Sequence, residues 1–304
     1  MSTAPAIGRH AQGWAGPAPC IPGERRIKLV AIDLDDTLLD SRLRIPPAAA
    51  EAIARARRRG VHITLATGRM FASALPYALQ LGVDLPLISY QGALVRHVLS
   101  GEELVSRKVD PGAGRQALAR LREWGLHVQA YWDDRLCMEA LTPEGEDYAR
   151  LAGVTPLLVE RLEDVVEGGT FKLLAVSYQV ERLAALEARL QREFASRLYV
   201  TRSKPHFLEL MHPEATKGRA LAAVAAHLGV ERAQVMAIGD SYNDIDMLRW
   251  AGVGVAVANA PEAVRRAADL VTLSNDDGGV AHAIVSLVLG EGKENADGGT
   301  GVLD

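Results

Sequence analysis

The sequence predicts an α/β protein with a Rossmann-like core on a parallel sheet, split by an inserted α+β cap domain. Three observations lead there. Apolar β-prone runs alternate with helical runs at both ends of the chain, that alternation lapses between about residues 93 and 208, and 304 residues amount to two domains at roughly 150 residues each.

The alternation begins at Ile27 with IKLVAIDLDDT, an apolar run that halts at an acidic cluster, as suits a strand buried on both faces. Pro46 and Pro47 introduce AAAEAIARARRRG, a helix that Gly60 can end as a left-handed cap. VHITLATGRM is the next buried strand, and strand, helix and strand in about forty residues form a βαβ unit with parallel strands and a right-handed crossover. A helix at 72–81 and the short strand LPLIS continue the pattern. Then ALVRHV, LHVQAYW, RLCMEAL, FKLLAVS, RLYVTRS and HFLELM read as strands, with helices at 113–124 and 180–194, the mix of an α+β unit. The alternating unit resumes with TKGRALAAVAAHLGV as helix, QVMAIGD as strand, NDIDMLRWAG as helix, VGVAVAN as strand, PEAVRRAAD as helix and LVTLS as strand. The expected division is a core of 27–92 and 209–289 around a cap of 93–208, with a mobile extension over 1–26 and a disordered Gly-rich tail over 290–304.

Hydrophobic residues make up 48% and charged residues 24%, the range of an ordinary globular protein. A formal charge of −4 supplies no basic field, so nucleic acid is not an expected partner. No run approaches 18 apolar residues and the first 26 lack a signal peptide's apolar stretch, so no membrane partner is expected either. Cys20 and Cys137 lack metal-ligand spacing, which argues against a disulfide framework or zinc site and fits a reducing cytoplasm. Nothing in the sequence speaks to oligomeric state.

Three apolar strands finish in polar residues of a particular kind: LVAID at Asp33, ITLAT at Thr67 and VMAIGD at Asp240. Ligands of an open parallel sheet bind outside the carboxyl ends of its strands, so the three endings should converge on one crevice. Each alone could merely cap the next helix. Together with Asp35, Asp36 and Asp244 they favour a site, because five carboxylates near one sheet edge repel unless a cation binds, and hard oxygen ligands favour Mg²⁺.

These residues stand in a recognisable order. Asp33-Leu34-Asp35-Asp36-Thr37, then Thr67-Gly68-Arg69, then Lys217-Gly218, then Gly239-Asp240-Ser241-Tyr242-Asn243-Asp244 resembles the four motifs of the haloacid dehalogenase-like hydrolases. More narrowly the string resembles the Cof-type, subfamily IIB, phosphatases, over about Ile27 to Val288. The resemblance implies that Asp33 is the nucleophile and that Asp35 protonates the leaving oxygen, later activates water and touches the metal through its backbone carbonyl. It implies Asp240 as a second metal ligand, with Asn243 and Asp244 holding the metal shell directly or through water. Thr67 and the Gly68 N–H would hold phosphoryl oxygens, and Lys217 would bind the phosphoryl group and orient the nucleophile. The chemistry gives such a set its reason. Enzymes accelerate phosphate-monoester hydrolysis by up to about 21 decades, whereas general acid–base help supplies only about 2–4. Covalent catalysis, a metal and fixed positive charge must act together.

Arg69 would reach substrate or pair with a core acid. Asp36 sits where many relatives have Gly and reads as solvated or structural, and Gln91 sits where relatives commonly carry Asn. In the cap, Tyr131, Trp132, Arg202, Lys204 and His206 are candidates for the leaving-group pocket, although packing or solvation accounts for each, and His212 beside Pro213 reads as a turn residue. The expected function is Mg²⁺-dependent hydrolysis of a small phosphate monoester, a sugar phosphate or similar phosphometabolite, through an aspartyl phosphate. Two rivals stand beside it: a phosphomutase of the phosphomannomutase type, and a non-catalytic phosphosugar-binding protein, against which the complete set Asp33, Asp35, Thr67, Lys217 and Asp240 argues.

Overall fold

In the computed structural model, which describes residues 26–291, the chain enters through β1 (Leu29–Ile32), all four residues of which are buried. Helix α1 (Pro47–Arg58) crosses over to β2 (His62–Leu65), which pairs parallel to β1 with Leu29 opposite His62. Proline at its first position starts α1, and Gly60 at φ +78° turns the chain out of it. Helix α2 (Phe71–Gln80) leads to β3 (Pro86–Ser89), which continues the parallel sheet through a single bridge from Ile88 to Ala66. After it, β4 (Leu94–His97) and β5 (Glu103–Ser106) pair antiparallel onto β3.

A second layer follows: α3 (Pro111–Glu123), β6 (His127–Trp132), β7 (Arg135–Met138), α4 (Pro143–Ala152), β8 (Leu157–Leu158), α5 (Leu162–Glu167), β9 (Lys172–Val176), α6 (Val180–Phe194), β10 (Tyr199–Lys204) and β11 (Phe207–Met211). Its six strands form one sheet in the order β10-β11-β9-β6-β7-β8. Alternation sorts the two faces. Leu173 and Ala175 of β9 pack with Leu118, Leu186 and Phe194 of the cap helices, while Leu174 and Val176 join the cluster that includes the core.

The chain then returns through α7 (Lys217–His227), β12 (Val235–Gly239), α8 (Ile245–Trp250), β13 (Val253–Ala256), α9 (Glu262–Ala267), β14 (Leu270–Val271) and α10 (Gly279–Ala283). The core sheet runs β14-β13-β12-β1-β2, all parallel, so β1 and β12 lie side by side at its centre with Ile32 opposite Ile238. This is an α/β Rossmann-like core with a cap domain.

Sheet pairing crosses both expected domain boundaries. ALVRHV, expected in the insertion, is β4 and extends the core edge, while the expected bound at 208 cuts through β11, HFLELM of the insertion, which is the second strand of the cap sheet. We propose 111–211 for the inserted unit on that basis. The expected extension and tail lie outside the described residues, apart from Arg26, Gly290 and Glu291; Glu291 pairs with Arg55 and Arg59 of the core. Among the described residues no helix is long and apolar enough to cross a membrane.

Candidate active site

Strands β1 and β12 are parallel neighbours, so their carboxyl ends deliver Asp33 and Asp240 to the same edge, and Thr67 follows β2 beside them. Asp33, Asp240 and Asp244 each offer an oxygen atom, all lying within 4.8 Å of one another. Lys217, the first residue of α7, lies among them and is 1% exposed. Its Nζ donates to Asp33 Oδ1 and to Asp244 Oδ1, both at 2.6 Å. A cation in the first turn opposes the helix dipole, and these two carboxylates offset that penalty.

Asp244 is fully engaged. Beyond Lys217, its Oδ2 accepts from the backbone N–H groups of Asp240 at 3.1 Å and Ser241 at 2.9 Å, fixing the turn that follows β12. Asp240 is less so: its Oδ1 accepts from the Thr37 hydroxyl at 2.8 Å. Burial pushes the Asp33 carboxyl well above its ordinary range; Lys217 pulls it back, while Asp244 and Asp240 push it further up. Burial, then repulsion from Asp244, drives Asp240 to about 7, with Thr37 and Lys217 opposing. Such a set is short of positive charge. All its donors are hard carboxylate oxygens, and Asn243 adds a buried Oδ1 with no protein partner. The residues therefore fit a small divalent cation such as Mg²⁺.

Asp35 points to a different partner. Arg69 grips it with two hydrogen bonds, Nε to Oδ2 at 2.8 Å and Nη2 to Oδ1 at 2.6 Å. Burial works to raise the Asp35 carboxyl, but the Arg69 hydrogen bonds and charge outweigh it and hold the group below the usual range. Arg69 thus pairs with a core acid, and it also lines the cavity between core and cap. Asp36 adopts the left-handed conformation, φ 59°, and its exposed carboxylate lies 3.4 Å from Lys204 Nζ of the cap.

Thr67 is buried, and its Oγ1 accepts from the Arg69 N–H at 3.1 Å. Gly68 is pressed against Gln91: a Cβ there would lie 2.3 Å from Gln91 Nε2. Gln91 joins three parts of the site, donating to Glu209 Oε2 of the cap at 2.8 Å and accepting from Asn243 Nδ2 at 2.7 Å. Asn243 is thus brought to the site beside Gln91.

Above these groups lies a cavity of about 810 Å³ between core and cap. Of the cap candidates, Arg202 and Lys204 line it. Tyr131 does not: it is buried behind the wall and donates to the hydroxyl of Tyr148, which does, at 2.6 Å. Trp132 is 48% exposed on the β6–β7 hairpin, and His206 packs edge-on against Phe207, so neither reaches the lining. His212 is a turn residue, its ring nitrogen accepting from the Glu214 N–H. Sequence reasoning missed Lys172 and Glu209, a buried pair at 2.8 Å that both line the cavity. The signal was present: each is a lone charge within an apolar strand, FKLLAVS and FLELM.

A family model described as haloacid dehalogenase-like hydrolase matches residues 30–284, and the chain belongs to that family. It is a phosphatase, a phosphoric monoester hydrolase. The 5-amino-6-(5-phospho-D-ribitylamino)uracil phosphatase YwtE of Bacillus subtilis is 31% identical over 293 residues, covering 87% of this chain and 99% of that one. A haloacid dehalogenase-like hydrolase from Bacteroides thetaiotaomicron superposes with a TM-score of 0.77 at 30% identity, over 85% of this chain and 98% of that one. The fold is also that of a subclass IIB sugar phosphatase, with a TM-score of 0.74 at 22% identity over 84% and 97% of the two chains.

Proposed function

We propose that this protein hydrolyses a small polyhydroxylated phosphate monoester, with Asp33 as nucleophile and Mg²⁺ as cofactor. The observation that carries the reading is the cluster of Asp33, Asp240 and Asp244, with the Lys217 ammonium paired to Asp33 and Asp244, at a cavity that Asp33 and Asp240 line. Asp33, Asp240 and the Asp35 carbonyl would hold the ion, while Asp244, whose oxygens are occupied, would anchor Lys217 and the turn. The bound ion supplies charge neutralisation between an ionised nucleophile and an anionic phosphoryl group. Lys217 fixes Asp33 through Oδ1, which leaves Oδ2 to attack phosphorus and form the aspartyl phosphate. Thr67 and the Gly68 N–H take the phosphoryl oxygens, where negative charge concentrates. Asp35 gives its proton to the leaving oxygen and takes one from water in the second displacement. Since Arg69 holds it ionised at rest, that role requires Arg69 to turn to another acceptor and Asp35 to take up a proton from water before the first displacement.

Around the leaving group the walls offer Gln91, Thr201, Ser203 and Glu209, a set suited to hydroxyls, and the YwtE relative is named for a ribityl phosphate. The test is phosphate release across a panel of sugar and polyol phosphates with Mg²⁺, beside Asp33→Asn. We expect the wild type to release phosphate and the variant, still folded, to release none. Equal turnover by Asp33→Asn would remove Asp33 from its role; isomerised phosphosugar in place of free phosphate would make the protein a mutase; and binding with no turnover of any ester would make it a binding protein.

A further inference from the structure

In a strand packed on another layer, side chains two apart share a face. Leu174 and Val176 of β9 belong to the core-side cluster, so Lys172 shares their side; Phe207 and Met211 of β11 do too, and Glu209 lies between them. The pair formed across these strands is therefore aimed at the core. Lys172 Nζ donates to Glu209 Oε1 at 2.8 Å and, also at 2.8 Å, to the carbonyl oxygen of Gly68. That carbonyl belongs to the Gly68–Arg69 peptide, whose N–H donates to Thr67 Oγ1 at 3.1 Å. A hydroxyl that accepts from one side keeps its own hydrogen for an acceptor on the other. A lysine of the cap thus grips one end of a peptide plane whose other end sets the hydroxyl of Thr67.

We propose that Lys172 is a positioning residue for phosphoryl transfer: by holding the Gly68 carbonyl it fixes the phosphate-binding loop, which only the docked cap completes. The proposal rests on the hydrolase reading above. Gln91 braces the same loop from beneath, its amide against Gly68, and is itself held by Glu209. Loop geometry is therefore set jointly by two cap residues, Lys172 and Glu209. Closure and catalysis are coupled through the loop, without any cap residue touching phosphorus.

The test compares wild type, Lys172→Met and the charge-balanced double variant Lys172→Met/Glu209→Gln, which leaves no unpaired buried carboxylate should the single variant fail to fold. Each is assayed per folded molecule with p-nitrophenyl phosphate, whose leaving group is a flat ring, and with the best polyol phosphate from the panel. Misplacing a reacting array by about 1 Å loses roughly 100-fold, so we expect kcat to fall 10- to 100-fold for both esters alike. Vanadate inhibition should weaken by a similar factor. In a Thr67→Val background the further loss from Lys172→Met should shrink to less than threefold, because both changes disable one unit. A loss confined to the polyol phosphate would make Lys172 a leaving-group contact and overturn the proposal, as would unchanged kcat or full additivity with Thr67→Val. A wild type inactive on every ester would instead overturn the hydrolase reading, and the positioning role with it.

Discussion

Lys217→Met removes one ammonium and almost nothing else, since methionine has similar reach. The site it leaves is unforgiving. Lys217 is 1% exposed, and its two partners, Asp33 and Asp244, are 5% and 0% exposed. Removing one member of a buried charged set destabilises by about 3–5 kcal/mol when the remainder stays charged. Here part of that penalty is escaped by protonation, because Asp33 already lies well above the ordinary carboxylate range and loses with Lys217 its main pull downward. Escape has a chemical consequence. A protonated Asp33 is no nucleophile, so the acid limb of the pH–rate profile must move to higher pH. Loss of a fixed donor where charge develops adds a factor of roughly 10²–10³ in kcat. The assay is phosphate release from p-nitrophenyl phosphate at saturating Mg²⁺ from pH 5.5 to 9, beside a thermal melt at each pH. We expect at least a 100-fold loss at pH 7 that is partly recovered at pH 9. A kcat within threefold of wild type, or an acid limb that moves down in pH, would show that Lys217 does not control the charge of Asp33.

Asp240→Asn should raise the Mg²⁺ concentration for half-maximal activity at least tenfold, whereas Asp244→Asn should lower stability and kcat with a smaller change in that concentration. An equal shift in both variants would put Asp244 on the ion. Asp134, in the β6–β7 hairpin, accepts from the N–H groups of Phe71 at 3.0 Å and Ala72 at 2.6 Å and from the Tyr90 hydroxyl at 2.7 Å, clamping the cap onto the first turn of α2. Asp134→Ala should lower stability by about 2 kcal/mol, one helix cap plus one buried hydroxyl left unpaired, read from urea unfolding; a change below about 0.5 kcal/mol would deny the clamp. For protein treated with chelator, the raised carboxyls of Asp33 and Asp240 mean that the folded state binds more protons than the unfolded one near neutrality, so stability falls as pH rises toward and through about 7. Mg²⁺ competes with those protons, so its addition should raise Tm more at pH 8 than at pH 5.5. The reverse order would place the ion elsewhere.

The sheet edge was legible because β1 and β12 carry their chemistry immediately after a buried apolar run, and a parallel sheet has one carboxyl edge on which to collect it. Partners across that edge were not legible. The sequence left Arg69 between substrate and acid, and only the fold brings it to both oxygens of Asp35. β4 was expected in the inserted unit because ALVRHV alone does not say which sheet it joins; its place is decided by pairing with β3. Helix α4 was overlooked although Thr142 ahead of Pro143 and Gly153 at φ +67° mark its two ends. Lys172 and Glu209 were passed over because a charge inside an apolar strand reads as an irregularity until the opposite layer is known.

That buried charge also bears on how the cap is held in one register on the core. Glu209 accepts from Lys172, Gln91 and Ser203, and Lys172 donates to Glu209 and Gly68, so each makes its full set of protein contacts only while the cap sits on the core. Gln91 is the member that reaches across; an asparagine, one methylene shorter, would have to give up either Glu209 or Asn243. A misplaced cap would strand these groups without partners, a penalty of about 1–3 kcal/mol each, which selects a single docked position. Were the cap to lift fully, Lys172 and Glu209 would stay paired to each other within one sheet and gain water, so this pair would forfeit little. An apolar interface would behave oppositely, tolerating slippage while losing about 25 cal/mol for every Å² exposed. Cap and core also share apolar contacts, Leu174, Val176, Phe207 and Met211 packing into the cluster that includes the core, so here the polar network adds register to an interface that apolar burial holds together.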